Sequence, residues 1–338
     1  MEEKQVELAQ DVYEVQMEAE YVNPTYLKEQ PQTVYRMDKA GGRYYYTLSE
    51  EGDPTFFISV TTFIKQSMPT PQSLISWMAQ MGEKEAKAYA EERARYGTLL
   101  HMEIGELLVN GQYDLDSVPQ KLDLYMEKHY LPQSFKKYTE DLRKDVLAFS
   151  QCMIDYGIEP VAVEIVLTHP EWMIAGAVDI VCWMNIDVDG LSDDVFKSGP
   201  HAGQQKPIKV KKRVLAIIDI KSGRKSFYDE HKIQLHAYKE MWDIHFPDMP
   251  IERVYNFSPK DWRKSTPTYN FTDQTNAKIA RKLEKFVELA RIDDDNKDNS
   301  LTICHGLIDI KEGIQGNIEF LGLSELVKKR HEPLNLDL

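Results

Sequence analysis

Cysteine is scarce: Cys152, Cys182 and Cys304 are the 3 in a chain of 338 residues, and they stand far apart. An odd, scattered set excludes a disulfide scaffold, and no CxxC pair offers a zinc site. Buried free thiols are the expectation. Long apolar runs are missing too. No stretch approaches the ~20 residues that cross a bilayer. The opening residues, MEEKQVELAQ, lack the basic start and apolar centre of a secretory signal. No membrane contact and a cytoplasmic location follow as expectations. With no GxxxxGK[ST] stretch, no ATP is expected as a cofactor. Positive charge is also in deficit, with 41 Lys and Arg against 55 Asp and Glu and a net charge of −14. The average conceals basic clusters at 206–213, at 221–225 and around Lys260, Arg263 and Lys264. Bulk charge therefore does not exclude a nucleic-acid partner.

The composition, 42% hydrophobic over 338 residues, suffices for one large α/β domain with additions. Residues 1–30 are acidic and polar, an arm or short helix. VYRMDKAGGRYYYTL (34–48) reads as a hairpin around a Gly-Gly turn. FFISVTTFI (56–64) reads as a strand passing into a helix, and 70–111 carries helical spacing. VAVEIVL (161–167), AGAVDIVCWM (175–184) and VLAIIDIK (214–221) read as three sequential strands. Between the last two, 185–213 holds Gly, Pro, Ser and charge and reads as a long, mobile excursion. A helix over 228–242, a strand over 252–259 and a helix over 272–292, capped by Thr272 or Asp273, follow. The tail mixes a strand-like run with a helix over 323–331. The simplest partition is an arm and hairpin (1–54), a core (55–292, with the 185–213 insertion) and a C-terminal extension (293–338).

Chemistry enters with DIK at 219–221. Alternate residues of a strand share a face, so Asp219 and Lys221 stand with Leu215 and Ile217 on an otherwise apolar face. Taken alone, this is equally a salt bridge at a strand end. The preceding strand repeats the anomaly. Asp179 is a lone carboxylate in an apolar run, on the face of Ala175, Ala177, Val181 and Trp183 if alternation holds. If the two strands are neighbours, Asp179 and Asp219 converge and repel unless a cation or proton intervenes. A hard divalent ion such as Mg²⁺ or Mn²⁺ fits such oxygen ligands. Glu164, between Val163 and Ile165, is either a third carboxylate of that site or an exposed residue on an edge strand. His101 lies on a helix whose core stripe is Leu100, Ile104, Leu107 and Leu108. Gly97 and Gly105 flank it on one face, leaving room for a metal or phosphate, although a lone helical histidine is commonly structural. Gln234 and Tyr238, at i and i+4, suit phosphate or base contacts. Lys206, Lys209, Lys211, Lys212 and Arg213 suit a phosphate clamp, or are a solvated charge run.

In this order, GTLLH (97–101), GAVD (176–179), DIKSG (219–223) and QLHAY (234–238) resemble the PD-(D/E)XK nuclease superfamily, in its RecB-like exonuclease branch. SVTTFIKQSMPTPQSLISWM (59–78) is similar to the lead-in of phage and mitochondrial exonucleases of that branch. The resemblance covers roughly 55–245 and implies a restriction-endonuclease-like core, a mixed central sheet flanked by helices. It also implies a Mg²⁺-dependent DNA exonuclease in recombination, replication or repair, with a protein partner of such a pathway. By resemblance, His101, Asp179, Asp219 and the backbone carbonyl of Ile220 bind the metal and Lys221 activates water. Gln234 and Tyr238 then fix the active-site strand and contact substrate. Two departures stand out: the 185–213 insertion, and the absence of the four cysteines that hold an iron–sulfur cluster in some relatives. An endonuclease of the same superfamily and a catalytically inactive DNA-binding protein are the alternatives.

Overall fold

The computed structural model describes residues 17–18, 31–39, 42–223, 227–261, 266–294, 300–305, 308–309, 311, 313–314 and 317–331. Most of the arm, and the basic residues Arg224, Lys225, Arg263 and Lys264, lie outside them.

The chain opens with β1 (Met17–Glu18), β2 (Tyr35–Lys39), β3 (Gly42–Leu48) and β4 (Pro54–Ser59). The hairpin expected over 34–48 is β2 and β3, paired from Tyr35↔Tyr46 to Lys39↔Gly42. β4 passes directly into α1 (Val60–Ser67), because the Ser59 hydroxyl accepts the N–H of Thr62 and starts the helix. Next come α2 (Gln72–Met81), α3 (Glu83–Asn110), α4 (Val118–Lys128) and α5 (Thr139–Tyr156). α3 and α5 each stop at a left-handed glycine, Gly111 and Gly157.

The three expected strands are β5 (Glu159–His169), β6 (Ile174–Val195) and β7 (Gln205–Ile220). After them come α6 (Asp229–His245), β8 (Arg253–Pro259), β9 (Tyr269–Asp273) and α7 (Ala277–Asp294). The tail holds β10 (Ser300–His305), the short β11 (Ile308–Asp309) and β12 (Gly313–Ile314), β13 (Asn317–Gly322) and α8 (Leu323–His331).

The fold is α/β: an open, mixed sheet in the order β1-β2-β3-β4-β6-β7-β8-β9, with β5 on β6 as well, flanked by helices. The N-terminal hairpin is thus continuous with the central sheet. On one side, Leu100 and Ile104 of α3 and Phe149 of α5 pack on Ile180 and Ile218. On the other, Phe63 of α1, Trp242 of α6 and Leu283 of α7 pack on Val178, Leu215 and Ile217. Cys152 and Cys182 are buried free thiols, and burial raises both pKa values; the side chain of Cys304 is outside the described set. Among the described residues no helix is long and apolar enough to cross a membrane.

Two expectations are corrected. Residues 185–213 are largely an extension of β6 and β7, paired antiparallel out to Leu191↔Pro207 and, past an irregularity, Val195↔Gln205. The physical reason is a period of two: Ile186, Val188, Ile208 and Val210 share one face, while Asp187 and Asp189 face Lys211 and Lys209 on the other. Thr272 and Asp273 end β9, and the cap of α7 is Asn276, whose side chain accepts the N–H of Lys278.

Candidate functional site

The position of the site follows from the strand order. β6 pairs with β4 through Ile174 and Ala175, then with β7 only from Ile180 onward. The sheet is split between β4 and β7 beside residues 176–179, and a crevice where neighbours change is where open α/β sheets bind ligands. Continuing the registers by one step places Asp219 opposite Asp179 on β7 and Glu164 opposite Asp179 on β5. Asn256 of β8 pairs with Asp219. Four strands therefore contribute one polar row, Glu164–Asp179–Asp219–Asn256, across an otherwise apolar sheet.

Glu164 sits in the row through an unusual backbone. Its φ is +54°, in the left-handed region, which costs a non-glycine residue of order 1 kcal/mol or more. The consequence is visible in packing: Val163 faces the α3–α5 core and Ile165 the α6 core, although two residues apart. Opposite it, Val178 and Ile180 likewise fall on different sides. Strict alternation, which the sequence reading assumed around Asp179, breaks here. Both carboxylates stand where the sheet twists from one face to the other.

α3 crosses the end of β7. Gly97 lies against Ser222, whose Oγ would be 3.1 Å from an added Cβ, and Gly105 lies against Val163. At Gly97 a side chain would crowd Ser222, whereas at Gly105 a Cβ would make only ordinary contact with Val163. Between them His101 faces the row, with Nδ1 3.5 Å from Glu164 Oε1 and 3.6 Å from Asp179 Oδ1. Its Nε2 is 3.0 Å from the carbonyl of Ile220, and Asp179 Oδ2 accepts the N–H of Ile220 at 2.7 Å. Arg93, two turns earlier on α3, donates to the carbonyl of Ser222.

The donor atoms of His101, Glu164 and Asp179 lie within 4.8 Å of one another, the spacing of a metal-ligand group. Two carboxylates with one imidazole, and no thiolate, form a donor set that can hold a divalent ion. Burial raises the carboxyl of Asp179, with Glu164 adding to it and His101 opposing. For His101, burial pulls the imidazole down, but Asp179 and Glu164 outweigh it and hold it at about 9. Among the described residues, Glu164, Asp179 and Asp219 face one imidazole, that of His101, and one lysine, Lys221, so the residues fit a divalent ion.

Asp219 stands beside this group, not in it. It is fully buried, held by Lys221 Nζ at 2.9 Å and by the Asn256 amide at 2.7 Å. Burial raises its carboxyl as well, against the pull of Lys221. Lys221 also donates to Gln234 at 3.0 Å, and Gln234 donates to the Tyr238 hydroxyl at 2.8 Å. Both α6 residues are buried, so they position the lysine. Tyr238 fits because residue 176 is glycine: a Cβ there would lie 2.8 Å from its ring.

Three neighbours escaped the sequence reading. Asn256, inside VYNF, carries the same signal as Asp179, a lone polar residue in an apolar strand, and its buried Oδ1 has no partner among the described residues. Arg93 and His231 of α6 carry no such signal. The basic ribbon is not brought to the row. Arg213 is six residues from Asp219 along β7 and Lys206 thirteen, about 20 and 43 Å at strand rise. Lys209, Lys211, Lys212 and Arg213 pair instead with Asp189, Asp187, Glu252 and Glu159.

No known family model matches the chain, and no curated protein is similar to it in sequence.

Proposed function

We propose that the chain is a metal-dependent DNA nuclease with a PD-(D/E)XK-type core, acting as an exonuclease. The observation that carries this reading is the meeting of His101, Glu164 and Asp179 within 4.8 Å, at a split in the sheet, with Lys221 fixed at the end of the adjoining strand. Such a constellation has little structural rationale: it buries the Asp179 carboxylate and strains the backbone of Glu164. Those costs make sense where a cation and a phosphate are to be bound.

Glu164, Asp179 and His101 would hold the ion, with Asp219 and the Ile220 carbonyl completing its surroundings. Bound there, Mg²⁺ or Mn²⁺ lowers the pKa of a water and offsets charge building on the phosphate oxygens. Lys221, restrained from two sides by Asp219 and Gln234, presents an ammonium that stabilises an attacking hydroxide and the phosphate. Asn256 and Tyr238 keep that pair in place.

The test is digestion of end-labelled linear and covalently closed circular DNA with and without Mg²⁺ or Mn²⁺. Metal-dependent loss of linear DNA alone supports an exonuclease. Nicking of the circle makes the protein an endonuclease, and binding without cutting makes it a DNA-binding protein.

A further inference from the structure

A cavity of about 600 Å³ opens at the N-terminal end of α6, one helical turn before Gln234, which holds Lys221. Its wall is apolar and aromatic: Met68 and Pro71 from the α1–α2 turn, Phe227 and Tyr228 ahead of α6, and Phe286 of α7. The Tyr228 side chain is half exposed, a ring available for contact. The polar groups are Asp229, Glu230 and Lys282. Lys282 lies over the Phe286 ring at 5.7 Å and 3.5 Å from Asp229.

Two links join this cavity to the candidate site. Glu230 lines it, and Gln234, four residues on along the same face of α6, holds Lys221; the rise between them is about 6 Å. His231 bridges the same gap. Its ring meets Tyr228 edge-on at 5.6 Å and Phe227 at 6.4 Å, and it is near enough to Lys221 and Asp219 for their charges to act on it.

The chemistry of the wall selects among groups a nucleic acid could place there. A phosphate would meet two carboxylates against one lysine, which already pairs with Asp229, and is repelled. A base meets aromatic faces on which any base can stack. Carboxylates also accept hydrogen bonds from exocyclic amino groups, such as N4 of cytosine. A base inside a duplex cannot enter without leaving its stack. We propose that this cavity binds one unstacked nucleobase of the strand being cut, so that the substrate is single-stranded DNA or a frayed duplex end. This inference rests on the nuclease reading of the neighbouring carboxylates.

The experiment measures kcat and KM for wild type, Tyr228→Ser and Phe286→Leu on short single-stranded oligonucleotides in which each position in turn is abasic, with Mn²⁺. Thermal melting and Mn²⁺ binding verify that each variant is folded. For wild type, one position near the cut should raise KM about fivefold to a hundredfold when its base is removed, with kcat little changed. The variants should have a raised KM on the intact strand and lose most of that position's sensitivity. Equal abasic sensitivity in wild type and both variants, or none at any position, overturns the base site and leaves the nuclease standing. Failure of wild type to cut any DNA with Mn²⁺ or Mg²⁺ overturns the nuclease reading itself, and the base site with it.

Discussion

Asp179 accepts the backbone N–H of Ile220 at 2.7 Å, although the ladder between their strands ends at Ile180↔Ile218. The carboxylate acts as one more rung beyond the last backbone pair, and its other oxygen faces His101. One side chain thus closes the sheet and supplies a ligand. The two roles separate by substitution. Asp179→Asn keeps an acceptor for the Ile220 N–H, whereas Asp179→Ala leaves a buried donor unpaired, worth about 1–3 kcal/mol. Urea unfolding should show Asp179→Ala less stable than Asp179→Asn by that amount, while neither variant cuts DNA. Equal stability would deny the rung.

Lys221 and Asp219 form a pair buried at the carboxylate end and about one-fifth exposed at the lysine. Among the described residues, removing the lysine alone leaves Asp219 with the Asn256 amide. Lys221→Met should cost about 2–4 kcal/mol at neutral pH, and adding Asp219→Asn should recover part of that loss. Each single variant should lower kcat at least about 10²-fold. Additive losses in the double variant would mean that the two groups do not act as a pair.

His101 makes metal binding depend on pH. Its folded value, about 9, is raised above the ordinary 6.5. The protonated form therefore contributes stability that is fully present below 6.5 and lost as pH rises through about 9. Metal-free protein should weaken across that window. An ion that takes the imidazole must displace the proton, so Mn²⁺ affinity should climb with pH, approaching tenfold per unit below about 9. Calorimetric titration in buffers of different ionisation enthalpy should also detect proton release, which His101→Asn abolishes. Affinity that is flat across the window would remove His101 from the ligand set.

Much of this site was legible because its residues violate the pattern around them. Asp179, Asp219 and Lys221 interrupt apolar strands, and strand period alone put Asp219 and Lys221 on one face. Asn256 gives the same signal but lies outside the resembling segments. Glu164 was legible as a candidate but not as a strained one, since a left-handed residue inside a strand follows from tertiary packing. Gly176 was visible as a glycine, but its purpose depends on the Tyr238 ring 62 residues later in the chain. The ribbon misled for the opposite reason: its charges and Gly190 suggest a loop, while the cross-strand partners that make it a sheet lie twenty-odd residues apart.

That ribbon carries the last prediction. Five basic residues in 206–213 invite a phosphate clamp, and each phosphate they neutralised would add about 0.9 to the salt slope on duplex DNA. Here, however, Lys209 and Lys211 have carboxylate partners directly across the ribbon, and Lys212 and Arg213 pair with neighbouring strands. A phosphate would have to displace a carboxylate, and the local net charge offers no gain from doing so. Their distance along β7 also keeps them from the nucleotides at the row. Replacing Lys209 and Lys211 with Ser should therefore leave the log–log salt slope within one unit of wild type and kcat unchanged. Both pairs are exposed and add little to stability, so the variant should stay folded. A slope that falls by two units or more would show that these lysines leave Asp189 and Asp187 for the DNA backbone.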